Sequence, residues 1–215
     1  MKIIAKKEII NKAGTPTANC HASTVLPLCN GDVLASWFGG TKEGKDDVKI
    51  YISRRKDGVW SEPVKICVDE DTPHWNPVLF ELNDGRIALY FKYGKSINIV
   101  WKTYVTYSSD NGETWTTPVE LVEGDTSGGR GPVKNKPIYL ADGTLIAPAS
   151  HEPTKESWVT FCDLSKDNGE TWEMSSYVPT GEDDEFIPMI QPTLWQDNDG
   201  DVHMLIRSAK ERIFR

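Results

Sequence analysis

The chain has 215 residues, one domain's worth, and a formal net charge of −8. That acidic balance argues against nucleic acid or an anionic membrane as partner, and no apolar run approaches the roughly 18 residues of a membrane span. Cys20, Cys29, Cys67 and Cys162 lack CxxC spacing, so neither a metal site nor a disulfide framework is expected, and no cofactor is implied; free thiols and the lack of a leader's apolar core fit a cytoplasmic protein.

In chain order, residues 2–10 alternate polar and apolar side chains and predict a strand able to complete a ring of sheets. Residues 23–28 and 33–38 then flank Asn30-Gly31, the signature of a tight hairpin. The pattern returns at 78–82 and 86–91 around Asp84-Gly85, at 138–140 and 144–147 around Asp142-Gly143, and at 193–195 and 202–207 around Asp199-Gly200. The turn glycines lie 54, 58 and 57 residues apart. In phase with them runs an eight-residue box, Ser108-Ser109-Asp110-Asn111-Gly112-Glu113-Thr114-Trp115, repeated as Ser165-Lys166-Asp167-Asn168-Gly169-Glu170-Thr171-Trp172. A worn copy ends at Asp57-Gly58-Val59-Trp60.

Each period thus holds four antiparallel strands, with the box between the third and fourth. No stretch carries a helical stripe. A repeat of this length built from four strands is an all-β fold, the β-propeller of four-stranded antiparallel blades. Blades are expected at about 16–67, 68–122, 123–178 and 179–215, the last incomplete. That makes about three and a half blades, read as the N-terminal part of a six-bladed domain. The box has a structural reading. Its Asp accepts backbone N–H groups, its Gly takes positive φ, and its Trp packs between strands.

Strand parity puts the hairpins and the boxes at one end of every blade. The other end carries the long, irregular connections, where sites are expected. They hold His21, Glu43, Asp46, Asp47, His74, Lys92, Arg130, Lys134, Lys136, His151, Glu152 and Arg207. His21, Asn76, Lys136 and Gln191 open the innermost strands and are expected to face the axis, as a polar ring suited to a small ligand. Cations in an otherwise acidic chain suggest an acidic carbohydrate, held by Lys92, Arg130, Lys134, Lys136 or Arg207. Asp46, Asp47, His21 and His74 are the candidates for acid/base work. Glu43, Asn76, His151 and Gln191 are candidate substrate contacts. Trp101 and Trp158 are read as repeat packing.

The boxes resemble the Asp boxes (BNR repeats) of sialidases, as does the run from Leu34-Ala35-Ser36-Trp37-Phe38 through Asp46-Asp47 to Ser53-Arg54-Arg55 and Asp57-Gly58-Val59-Trp60. His74-Trp75-Asn76-Pro77, Gly129-Arg130-Gly131-Pro132 and Gln191-Pro192-Thr193-Leu194-Trp195 are similar to the exo-α-sialidase-like branch. The resemblance implies a sialidase-like propeller and a retaining exo-α-sialidase type of hydrolase, with Asp46 or Asp47 at the position of the acid/base. It departs where sialidases carry the first arginine of their carboxylate clamp, because Cys20-His21-Ala22 stands there. Two alternatives stay open. One is a lyase on uronic-acid polymers, with His21 or His74 as base and Arg130 or Lys136 neutralising charge. The other is a glycan-binding propeller without catalysis.

Overall fold

The computed structural model describes residues 5–95, 101–180 and 186–215. They form four antiparallel sheets, the blades of a β-propeller. Blade one contains β1 (Asn19–Pro27), β2 (Val33–Gly40), β3 (Lys49–Lys56), β4 (Val59–Trp60) and β5 (Val64–Ile66), the last two both paired with β3. Blade two is β6 (His74–Glu81), β7 (Ile87–Tyr93), β8 (Lys102–Ser108) and β9 (Val119–Glu120). Blade three is β10 (Ile138–Tyr139), β11 (Leu145–His151), β12 (Val159–Ser165) and β13 (Glu173–Met174). Blade four holds three strands, β14 (Met189–Gln196), β15 (Val202–Ser208) and β16 (Ile213–Phe214). All four expected hairpins are present. The expected strand at 2–10 is not: residues 2–4 lie outside the described residues, and residues 5–10 form no strand. Instead Glu8 grips Arg55 of β3 through two hydrogen bonds of 2.6 and 2.9 Å and accepts a third from Trp60 Nε1 at 3.2 Å.

The apolar cores lie between blades. On β7, Ile87, Leu89 and Phe91 join Leu34, Phe38, Ile50 and Ile52 of blade one. Their neighbours Ala88 and Tyr90 turn the other way and join Leu121 and Leu145 on the blade-three side. Successive strand residues face opposite sides, so a strand sandwiched between two blades is apolar throughout. Buried side chains of this size contribute about 1.5–3 kcal/mol each, which makes every blade dependent on its neighbours.

The boxes close one end. In the first, Asp110 Oδ1 accepts from Thr114 N–H at 2.9 Å and from Ser108 Oγ at 2.8 Å, and the same Ser108 oxygen accepts from Gly112 N–H at 2.8 Å. The second repeats this set through Asp167, Thr171, Ser165 and Gly169. Gly112 has φ +81°, and a Cβ there would meet Leu34 Cδ2 of blade one at 2.7 Å. Only glycine satisfies both the left-handed turn and the close packing.

Hydrogen bonds to Thr114 and Thr171 hold the carboxyls of Asp110 and Asp167 down at about 2, against 3.8 ordinarily. A depressed folded-state pKa stabilises the fold above the unfolded value and loses that contribution as pH falls toward 2. Replacing both residues by Asn should lower the urea midpoint at pH 5, and the gap from the wild type should close as pH falls from about 4 to about 2. A gap independent of pH over that range would mean that ionised Asp is not what the boxes require.

Candidate functional site

At the opposite end the inner strands of blades one, two and four are broken in the same way. The pairing of β1 with β2 shifts between His21 and Thr24, that of β6 with β7 between Trp75 and Val78, and that of β14 with β15 between Ile190 and Thr193. Ala22 (φ 51°), Asn76 (φ 48°), Lys134 (φ 65°) and Gln191 (φ 55°) all take left-handed backbone at these points or at the matching point of blade three. Non-glycine residues in that region cost on the order of 1 kcal/mol each, and bulges of this kind re-aim side chains next to sites. The polar ring is therefore built from the bulge residues. Two expected members are displaced: Ala22, not His21, is the blade-one counterpart of Asn76 and Gln191, and Lys134, not Lys136, is the blade-three counterpart.

Asn76 and Gln191 line a cavity of about 370 Å³ among the four blades. Its walls are aromatic: Phe38, Trp75, Trp101 and Trp158. Trp75 stacks on Trp101 at 5.8 Å and meets Phe38 edge-on at 5.5 Å. Its indole N–H is fixed to Gly94 O at 2.8 Å. Trp101 and Trp158, expected to be repeat packing, are thus cavity walls as well. Two carboxyl groups enter the same space, Glu43 from the β2–β3 loop and Glu152 from the β11–β12 loop. Glu152 accepts from Ser150 Oγ at 2.7 Å. Burial pushes its carboxyl above the ordinary range, while Ser150, Lys92, Arg207 and Gln191 pull the other way. His21 is exposed at the rim, stacked on Phe38 at 5.5 Å, with Nδ1 4.0 Å from Glu43 Oε2. Flat apolar rings beside a few convergent polar groups are what a sugar-sized ligand needs.

The remaining expected residues divide by what they touch. Asp46 is exposed and makes no side-chain hydrogen bond among the described residues, and its carbonyl is held at 2.6 Å by the buried Lys49 Nζ, which also reaches Thr72 O at 3.1 Å. Asp47 accepts from the hydroxyl and the N–H of Thr41, which hold its carboxyl below the usual range and commit it to the loop. Arg207 Nη1 donates to Gln191 Oε1 at 3.2 Å. Lys134 is half-buried, and burial lowers its pKa.

Five expectations are corrected. His74 is buried with both nitrogens used: Nε2 accepts from Val68 N–H at 2.8 Å and Nδ1–H donates to Thr72 O at 2.8 Å. It has no nitrogen left for proton transfer. Arg130 is clamped on the fully buried Asp163, its Nε 3.0 Å from both carboxylate oxygens, and so faces blade three rather than a ligand. Lys136 Nζ donates to Leu79 O of blade two at 2.7 Å, and burial pushes its pKa down to about 8. Lys92 is fully buried, bonded to Thr103 Oγ1 at 2.8 Å and Arg130 O at 2.9 Å. His151 is buried between Tyr177 OH at 3.1 Å and Ser127 Oγ at 3.3 Å. These are crosslinks between blades and loops.

A propeller with an aromatic, carboxyl-bearing mouth at the end opposite its Asp boxes is a scaffold of the sialidase-like class. Residues 31–215 match the BNR repeat-like domain family, and the chain belongs to it. The chain is 35% identical over 100 residues to a sialidase of Paraclostridium sordellii, covering 39% of this chain and 24% of that one. A sialidase of Bacteroides fragilis is 25% identical over 175 residues, covering 78% of this chain and 28% of its own. The matches therefore span about a quarter of the length of these curated relatives. Among solved structures, the NanB sialidase of Streptococcus pneumoniae superposes with a TM-score of 0.73 at 14% identity, over 96% of this chain and 51% of that one. A protein of unknown function from Dyadobacter fermentans gives 0.71 at 19% identity, over 88% and 62%. These likenesses are of fold.

Burial and the nearby Lys49 charge push His74 down to about 4, from 6.5. The unfolded chain then binds the extra proton, so the neutral ring's advantage is complete above about pH 6.5 and is lost as pH falls toward 4. The loss is on the order of 3 kcal/mol. A His74→Gln variant should show a flatter stability profile between pH 6.5 and 4 than the wild type, measured by urea unfolding. Equal slopes would mean that the ring is not held neutral.

Proposed function

We propose that the protein is a sialidase-like glycoside hydrolase acting on acidic glycans. The observation that carries this reading is the mouth cavity, where aromatic walls, two carboxyl groups and the bulge amides of Asn76 and Gln191 meet. The aromatic faces would hold the sugar ring. Arg207, beside Gln191, and Lys134, at the left-handed position of blade three, would draw in the ligand carboxylate. Asp46 is the candidate acid/base, since Asp47 is committed to Thr41. It would hand its proton to the leaving oxygen as the glycosidic bond breaks and an enzyme nucleophile bonds the anomeric carbon from the opposite face, and then take a proton from the water that displaces that nucleophile, the sequence of a retaining enzyme.

A lyase on uronate polymers is the second reading. His21 favours it, because it stands at the cavity rim beside Glu43 where sialidases carry an arginine. His21 would take the proton α to the carboxylate, and Lys134 would stabilise the charge that develops.

The full-length protein should release the fluorescent aglycone of an α-sialoside, and Asp46→Asn should lower kcat by about 10²–10⁴-fold with little change in KM. Silence on sialosides together with an ultraviolet-absorbing unsaturated product from a uronate polymer, lost in His21→Ala, would replace hydrolysis by elimination.

A further inference from the structure

A histidine can move protons only through a ring nitrogen that no fixed partner holds. Three of the four in this chain have none to spare. His74 gives its nitrogens to Val68 N–H and Thr72 O, and His151 gives its own to Tyr177 OH and Ser127 Oγ. His203 meets Asp197 Oδ2 at 2.6 Å through Nε2 and Arg215 Nη2 at 3.2 Å through Nδ1. His21 is the exception. Its Nδ1 lies 4.0 Å from Glu43 Oε2, and among the described residues its Nε2 has no partner.

Both members of this pair are placed by the fold. His21 is the last residue of β1 in register before the bulge. It pairs with Phe38, on which its ring stacks at 5.5 Å with 21° between the planes. Phe38 is a wall of the cavity, so the imidazole extends the row of rings through Phe38, Trp75 and Trp101. Glu43 comes from the β2–β3 loop, which is stapled on itself. Asp47 accepts from Thr41 N–H at 2.8 Å, and Val48 N–H donates to Lys45 O at 3.2 Å. The buried Lys49 then joins Asp46 O, at 2.6 Å, to Thr72 O, at 3.1 Å, just ahead of β6 and its cavity wall Trp75. The carboxyl group of Glu43 is thereby held at the Nδ1 edge of the imidazole. Lys42, Lys45 and Asp46 are the other charged groups of the loop tip, and Glu152 and Lys155 share the cavity. Among the described residues none of them is within ion-pair range of His21 or Glu43.

We propose, resting on the elimination reading above, that Glu43 is a positioning residue for His21. Its carboxylate takes the Nδ1–H, so the neutral ring carries its proton on that nitrogen and turns a bare Nε2 to the ligand. Contacts of this kind are often long in the free protein and tighten when ligand binds. Nε2 takes the proton from the carbon α to the uronate carboxylate. The electron pair of that C–H bond becomes the new C=C bond as the C–O bond to the leaving sugar breaks. The leaving oxygen takes a proton from water, and His21 returns the one it took to the solvent. Glu43 favours the imidazolium that forms in between.

Two measurements on the full-length protein test this. Nitrogen-15 shifts of the imidazoles report the tautomer of the neutral ring without any substrate, with His21 identified by the signal lost in His21→Ala. The wild type should hold the proton on Nδ1. Glu43→Ala should revert to the Nε2–H form that free histidine prefers, and Glu43→Gln, whose amide oxygen still accepts, should keep the wild-type form. Turnover of galacturonate- and glucuronate-containing oligosaccharides is followed by the ultraviolet absorbance of the unsaturated product. In Glu43→Ala kcat should fall by about 10²–10⁴-fold at unchanged KM, with partial recovery in Glu43→Gln. A wild-type ring protonated on Nε2, or a Glu43→Ala variant that keeps its kcat or only raises KM, would overturn the role of Glu43. Loss of product in His21→Ala would still leave the elimination reading standing. No unsaturated product from the wild type, or product undiminished in His21→Ala, would overturn that reading and the role of Glu43 with it.

Discussion

A single blade of this protein buries little by itself, and the fold depends on how each blade is fastened to the next. The fastening is made at the closed end, hairpin turn to box. Arg54 spans from Asp32 in the first hairpin, at 2.6 Å, to Glu113 in the box of blade two, also at 2.6 Å. One blade further on, Arg86 joins Asp84 of the second hairpin to Glu170 in the box of blade three, both at 2.7 Å. Tyr139 OH and Asn168 add bonds to the backbone N–H of Asn83. The pairs that cross to Glu113 and Glu170 end on exposed carboxylates, and such pairs contribute little energy singly. Their weight lies in geometry: each sets the angle at which the next sheet is presented, and the interblade cores of β7 and its neighbours fill at that angle.

With the closed end fastened, the other end is left to diverge. A left-handed residue recurs at one place in every blade, yet these residues are Ala22, Asn76, Lys134 and Gln191. Only asparagine among these tolerates left-handed backbone well. Strain repeated at matched positions and filled with different side chains is expected of a surface that must aim groups inward rather than of one selected for stability alone. Fold stability and ligand chemistry are thus carried at opposite ends of the same strands.

Much of the architecture was legible in the sequence, because a repeat states its own period. Asn30-Gly31, Asp84-Gly85, Asp142-Gly143 and Asp199-Gly200 mark the turns, and the boxes mark the third connections. The end that carries the cavity also followed, from strand parity. Residue by residue the site was less legible. Arg130, Lys92, Lys136, His74 and His151 have the chemistry of ligand-binding groups and sit in the expected loops, but each is spent on a carbonyl, a carboxylate or a neighbouring loop. Whether a polar side chain has a partner is a fact about residues far away in the chain, and local pattern does not report it. Trp101 and Trp158 were missed for the converse reason. Their regular spacing before the box tryptophans signals repeat packing, and that same regularity lines the mouth with rings.

By itself, then, the sequence determined the all-β repeat, its phase, and the division into a box end and a loop end, since all three follow from short-range turn chemistry and the two-residue period of strands. Only the tertiary structure decided which charged groups are free. In blade three the left-handed position that matches Asn76 and Gln191 falls on Lys134 rather than Lys136. Burial then sorts the remaining polar groups into crosslinks and site. Asp163 takes Arg130 out of the mouth, while Ser150 holds Glu152 at its wall. Such choices are made by desolvation and by partners brought together across blades, which no window of local sequence contains.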